Sequence, residues 1–155
     1  MSSQLNVEAN VTVYDTDGNL LCEGRNTVTN MGTQVLARFI VGETSVAMEG
    51  FNYVELGTGV VTPDVDATGL TTPIARAKIL SHSIRRLGSV IAADGFFFKE
   101  NTTVHIREAG LYVGAATDTA IGSGMLFARV SLNLDNSGSG SKDIVLSWQI
   151  RISPA

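Results

Sequence analysis

The strongest constraint in the chain is a two-residue rhythm at both of its ends. Leu5, Val7, Ala9, Val11 and Val13 alternate with Asn6, Glu8, Asn10 and Thr12, and near the other end Ile144, Leu146, Trp148, Ile150 and Ile152 alternate with Val145, Ser147, Gln149 and Arg151. Successive side chains of a strand point to opposite faces, so such a pattern specifies a strand with one face on a core. A chain that opens and closes this way commits both ends to a sheet.

Turn chemistry divides the sequence between them. Asp15 to Asn19 separates the first strand from Leu20 to Glu23, which predicts a hairpin. The same Asp-rich run resembles the start of a calcium loop, but the twelfth position counted from Asp15 is Asn26, where a carboxylate is needed, so the turn is preferred. Val35, Leu36, Phe39 and Ile40 recur at helical spacing and predict one short helix near residues 31–41, capped by Asn30 or Thr33 and ended by Gly42. Phe51 to Leu56 reads as a strand. The Gly57-Thr58-Gly59 bend after it lacks the Lys and the helix of a phosphate loop. Val60 to Pro73 reads as a long surface loop, Ile74 to Ile84 as extended, Arg85 to Gly88 as a turn, and Ser89 to Lys99 as a strand. Met125 to Leu134 is a further strand, and the Ser-Gly tract at 137–141 a hairpin connection.

Thr103 to Gly114 combines this strand character with an irregularity. Val104, Ile106 and the run Leu111 to Val113 read as buried, yet Arg107, Glu108, Ala109 and Gly110 interrupt them. A charge in a buried strand is costly unless it is paired, and a glycine there marks a bulge or a close backbone approach. The expectation is a central strand with a structural ion pair, Glu108 to Arg129 or Arg76, because Arg107 faces the other way in a regular strand.

About eight short strands and one helix predict an all-β fold, an antiparallel β-sandwich that is jelly-roll-like or a flattened barrel. With 155 residues the chain fits one domain, 1–155, with the alternative that residues 1–10 extend as an arm onto a neighbour. Three consecutive phenylalanines, Phe96, Phe97 and Phe98, cannot all face one side of a strand, so at least one faces a second sheet, a helix or a partner. Together with Val60, Val61, Pro63 and Pro73 of the long loop they form the candidate interface.

Signals for chemistry are weak. The net charge of −4 argues against a nucleic-acid partner. The single cysteine, Cys22, can make neither an intrachain disulfide nor a thiolate metal site alone. His82 and His105 have different neighbours, no Gly-x-Ser-x-Gly elbow occurs, and Asp64 with Asp66 is a loop pair rather than two carboxylates across a cleft. No apolar stretch long enough to span a bilayer and no signal peptide is visible. Hence no catalytic residue, cofactor or metal is assigned, and a non-enzymatic role is expected.

The order of motifs carries one further pointer. Val11 to Asn19, Asn26 to Gly32, Leu36-Ala37, Tyr53 to Gly59 with Pro63, Arg76, Arg107 to Tyr112, Leu126 to Arg129, and Asp143 through Trp148 to Ile150 together resemble a group of small structural proteins of tailed bacteriophages. The resemblance spans nearly the whole chain. It implies a virion protein assembled in the host cytoplasm. The leading expectation is a trimeric capsid decoration, or cement, protein bound to the major capsid protein. The alternatives are a tail, baseplate or fibre-attachment protein, and after it a carbohydrate-binding module on the particle.

Overall fold

The computed structural model describes residues 5–43, 50–60, 62, 64–115 and 117–154. Among the described residues the chain is an antiparallel β-sandwich of nine strands and one α-helix: β1 (Leu5–Asp15), β2 (Leu20–Val28), α1 (Asn30–Ile40), β3 (Phe51–Gly57), β4 (Pro73–Lys78), β5 (Arg85–Leu87), β6 (Val90–Phe97), β7 (His105–Val113), β8 (Met125–Asp135) and β9 (Ile144–Pro154). One sheet runs β2-β1-β9-β6-β5 and the other β4-β3-β7-β8. The two are continuous through β2, whose residues 20–25 pair with β1 and whose residues 26–28 pair with β8.

The alternating ends of the sequence become the middle of the first sheet. β1 pairs with β9 along its whole length, from Leu5 opposite Pro154 to Asp15 opposite Ile144. Described residues 5–10 therefore lie within this ladder. Val11 and Val13 from β1, and Leu146, Trp148 and Ile150 from β9, face Val54, Leu56, Leu111, Ala128 and Val130 of the second sheet in one core. Each fully buried large apolar side chain contributes about 1.5–3 kcal/mol, which makes this face the main stabilising element.

Helix α1 crosses the end of the second sheet. Its N-cap is Thr29, in place of the expected Asn30 or Thr33: the Thr29 hydroxyl accepts from Gly32 N–H at 3.0 Å and donates to Leu126 O at 2.6 Å. A cap that also bonds β8 must sit inside the core, and Thr29 is buried. A Cβ at Gly32 would run into the carbonyl of Phe127, so this glycine lets the helix lie directly on β8. The helix is buried against the sheet at its start, and further along Phe39 shares an apolar cavity of about 160 Å3 with Phe51, Ile91, Ile150 and Ile152. Gly32 and Val35 are buried and Leu36 is half-buried, whereas Phe39 and Ile40 of the expected apolar stripe are exposed.

Two other expectations are corrected. Arg85–Leu87 is a short edge strand rather than a turn, all three residues being exposed. The extended stretch from Ile74 ends at Lys78, and a 3-10 turn at Ser81–Ser83 precedes β5.

Candidate functional site

β7 is the central strand of the second sheet, between β3 and β8, and its ladder with β8 shifts register between Ile106 and Glu108. The extra residue lies on β8, where Leu132 and Asn133 together oppose the single residue Arg107 of β7, and Arg107 is exposed. Opposed pairs place Tyr53 beside Tyr112, Glu55 beside both Gly110 and Arg76, and Gly57 beside Glu108. Because residues two apart share a face, all of these lie on the outer face of the sheet. Described residues of the loops 58–72 and 114–124 cover that face over β3 and β7, where Tyr53, Glu55, Glu108 and Tyr112 are buried, whereas Ser131 and Asn133 of β8 remain exposed.

Each loop is anchored by one buried carboxylate. Glu55, fully buried, accepts from Arg76 Nη1 at 2.5 Å and from Gly122 N–H at 2.6 Å. The Arg76 guanidinium goes on to donate to Asp118 O at 3.1 Å and Ser123 O at 2.7 Å, tying loop 114–124 to β4. It also lies between the rings of Tyr53 and Tyr112, 4.4 and 4.8 Å from their centroids. Burial, reinforced by the nearby Glu55 carboxylate, pushes the Tyr112 phenol well above its ordinary range.

Glu108 anchors the other loop without an arginine. Its carboxylate accepts backbone N–H groups of Gly59 at 3.1 Å, Thr71 at 2.8 Å and Thr72 at 2.6 Å. The expected ion pair of Glu108 with Arg129 or Arg76 is thus replaced by a clamp of amides, which satisfies a buried carboxylate equally well. Arg76 is committed to Glu55. Arg129 donates instead to the carbonyls of Thr62 at 3.0 Å and Gly69 at 3.4 Å. Glu55 gives only a faint sequence signal, a carboxylate inside the apolar run Phe51 to Leu56.

The remaining polar candidates also serve structure. Asp64 accepts from Asp66 N–H at 3.0 Å, and Asp66 accepts from the side-chain amide of Asn30 at 2.6 Å, tying the long loop to α1. His105 Nε2 and Asn133 Oδ1 are 2.7 Å apart between β7 and β8, while His82 lies in the 3-10 turn before β5. Burial raises the Cys22 thiol to about 11, so it is a poor nucleophile. Among the described residues no three His, Cys, Asp or Glu side chains gather as a metal site, and no helix is long and apolar enough to cross a membrane.

The candidate interface residues separate. Phe97 enters the core, while Phe98 is exposed and meets half-buried Phe96 edge to face at 5.0 Å. These phenylalanines line a groove of about 480 Å3 with Ile74 to Ala77, Asn101, Thr119 and Ile121. Val60, also exposed, borders a separate depression of about 330 Å3 with His105, Arg107 and Asn133. Pro73 opens β4, half-buried and opposite Gly57, and Val61 and Pro63 lie outside the described residues. The structure therefore gathers the phenylalanines but does not join Val60 to them.

Comparisons with protein-family models, curated proteins and solved structures return no match for this chain.

Proposed function

We propose that the chain is a non-enzymatic structural protein of a bacteriophage particle, and specifically a capsid decoration protein that docks as a trimer on the lattice of the major capsid protein. The observation that carries this reading is the groove at β4 and β6, where exposed Phe98 and Ile121 stand beside half-buried Phe96 and Ile74 at the border of the two sheets. Apolar side chains grouped at a rim serve to bind another surface. The resemblance of the motif order to small structural proteins of tailed bacteriophages supports a phage particle as the partner of that surface.

The use of the buried charges supports the same reading. Glu55, Arg76 and Glu108 are each committed to holding a loop, which gives a rigid block with fixed outer contours. Trp148 is fully buried and offers no ring for sugar stacking, which disfavours the glycan-binding alternative.

The test is copy number per virion, measured by quantitative mass spectrometry against the major capsid protein. A decoration role requires a fixed lattice ratio, on the order of hundreds of copies. A handful of copies per particle moves the protein to the tail or baseplate, and absence from purified virions overturns the reading. On a decorated particle Phe98→Asp should leave stability within about 0.5 kcal/mol of the parent, since the ring is exposed, yet lower occupancy about tenfold or more.

A further inference from the structure

We propose that the groove between β4 and β6 is a strand-acceptor slot, which takes an extended segment of a different protein and adds it to the sheet edge. The inference rests on the docking reading of this surface and commits to how the partner is held.

The continuous sheet starts at β4 and ends at β6 and β5, and these two borders approach each other without closing into a barrel. They touch where Leu80 N–H donates to Asp94 O at 3.2 Å. Away from that contact Ile74 to Ala77 and Phe96 to Phe98 line the groove, so the two strand borders part and leave a cleft of about 480 Å3. That volume lies within the roughly 300–1,000 Å3 of ligand clefts.

The backbone groups bordering the cleft are unpaired. In an antiparallel ladder, successive residues direct their N–H and C=O alternately to one neighbour and to the other. Ile79 N–H donates to Asn52 O at 2.8 Å, so Ala75 and Ala77 address β3 while Arg76 and Lys78 point away from it. On β6, Ile152 N–H donates to Ser89 O at 3.0 Å, so Gly95 and Phe97 address β9 and Phe96 points away. Among the described residues the outward backbone groups of Arg76, Lys78 and Phe96 find no partner. Apolar side chains flanked by free edges on both sides match an added strand, with main-chain bonds for affinity and alternate side chains on Phe96, Phe98 and Ile74 for specificity.

Charge and pattern narrow the occupant. Lys78 is exposed at the end of β4, and among the described residues it makes no ion pair, so the segment carries a carboxylate beside its apolar positions. A second copy of this chain is a poor donor. Its alternating apolar runs, β1 and β9, are already paired along their lengths.

The probe is a capped heptapeptide, acetyl-Glu-Val-Thr-Val-Thr-Val-Glu-amide, titrated into the full chain labelled with 15N. Strand acceptance predicts saturable shifts at the Arg76, Lys78 and Phe96 amides and about tenfold slower hydrogen exchange there. It also predicts that the same peptide with N-methylated valines binds at least about tenfold more weakly, and that lysine in place of both glutamates weakens binding severalfold. Phe98→Asp should remove the shifts, whereas Leu87→Asp, on exposed β5, should not. Equal binding of the N-methylated peptide, shifts confined to another surface, or no saturable shift from a folded protein would each overturn the slot. Should the protein still occur at hundreds of copies per virion after such a result, the slot fails while the decoration reading stands.

Discussion

The sandwich has two lateral borders, and they are built differently. At one, β2 bends from the first sheet to the second and carries its hydrogen bonds across, pairing with β1 and then with β8. At the other, Leu80, just past the end of β4, donates to Asp94 of β6, and the two strands part. The first border is possible because Gly24 sits at the bend, where a Cβ would lie 2.6 Å from Val130 Cγ2 and 2.8 Å from the Ser131 carbonyl. No strand turns the corner at the second, and the chain crosses instead through a 3-10 turn and the short β5. A closed border concentrates stability, and an open one leaves surface for another molecule.

If this contrast is right, damage to the closed border should be the more expensive. Gly24→Val should cost about 3 kcal/mol in chemical denaturation, since backbone and core on β8 must move to admit the side chain. A loss below about 1 kcal/mol would mean that β2 bends for another reason. Glu108→Gln tests the adjoining loop anchor: one oxygen still accepts, but the new amide group faces N–H donors, so about 2 kcal/mol should be lost and loop 58–72 should become protease-sensitive. Leu80→Pro removes the N–H that ties the segment just past β4 to Asp94 of β6, at a φ of −65° that proline adopts without strain. Its cost should be only about 1 kcal/mol, with hydrogen exchange raised along β4 and unchanged along β2.

The smallest effect concerns the hairpin that feeds the closed border. The Asn19 side chain and backbone, with help from Lys142 and Asp17 N–H, hold the Asp15 carboxyl below its usual range. A lowered folded-state value stabilises the fold above the ordinary aspartate pKa of about 3.9, and the benefit fades as pH falls through the folded value. The Tm gap between the parent and Asp15→Asn should therefore be fully open at pH 7 and shrink below about pH 4. A gap that widens on acidification would contradict this sign.

What sequence reading recovered, and what it missed, follows from where each interaction is encoded. β1 and β9 were legible because one half-buried face imposes a two-residue rhythm, and the central, irregularly paired character of β7 because Arg107, Glu108 and Gly110 break an apolar run, although the extra residues of that ladder lie on β8. β5 was not, since three exposed residues have no inward face to pattern. The α1 stripe was legible in part: Val35, Leu36 and Phe39 face the sheets, but periodicity reports amphipathicity rather than how closely a sheet meets the helix, and Ile40 stays exposed. The Glu108 partner was hidden for a different reason. Its donors are main-chain amides of Gly59, Thr71 and Thr72, and an amide has no letter in the sequence.

That clamp has a consequence for what the covering loop is free to become. A carboxylate that grips main-chain N–H groups does not read side-chain identity, and every non-proline residue offers the same donor. Its grip falls on the two ends of the segment, at Gly59 and at Thr71–Thr72, while Arg129 holds the carbonyls of Thr62 and Gly69 between them. At the crest, exposed Val65 holds Asn30 N–H at 2.7 Å through its main-chain carbonyl, so its side chain is released from most structural duty. This fold carries a site where surface character can be rewritten while the attachment points stay in place.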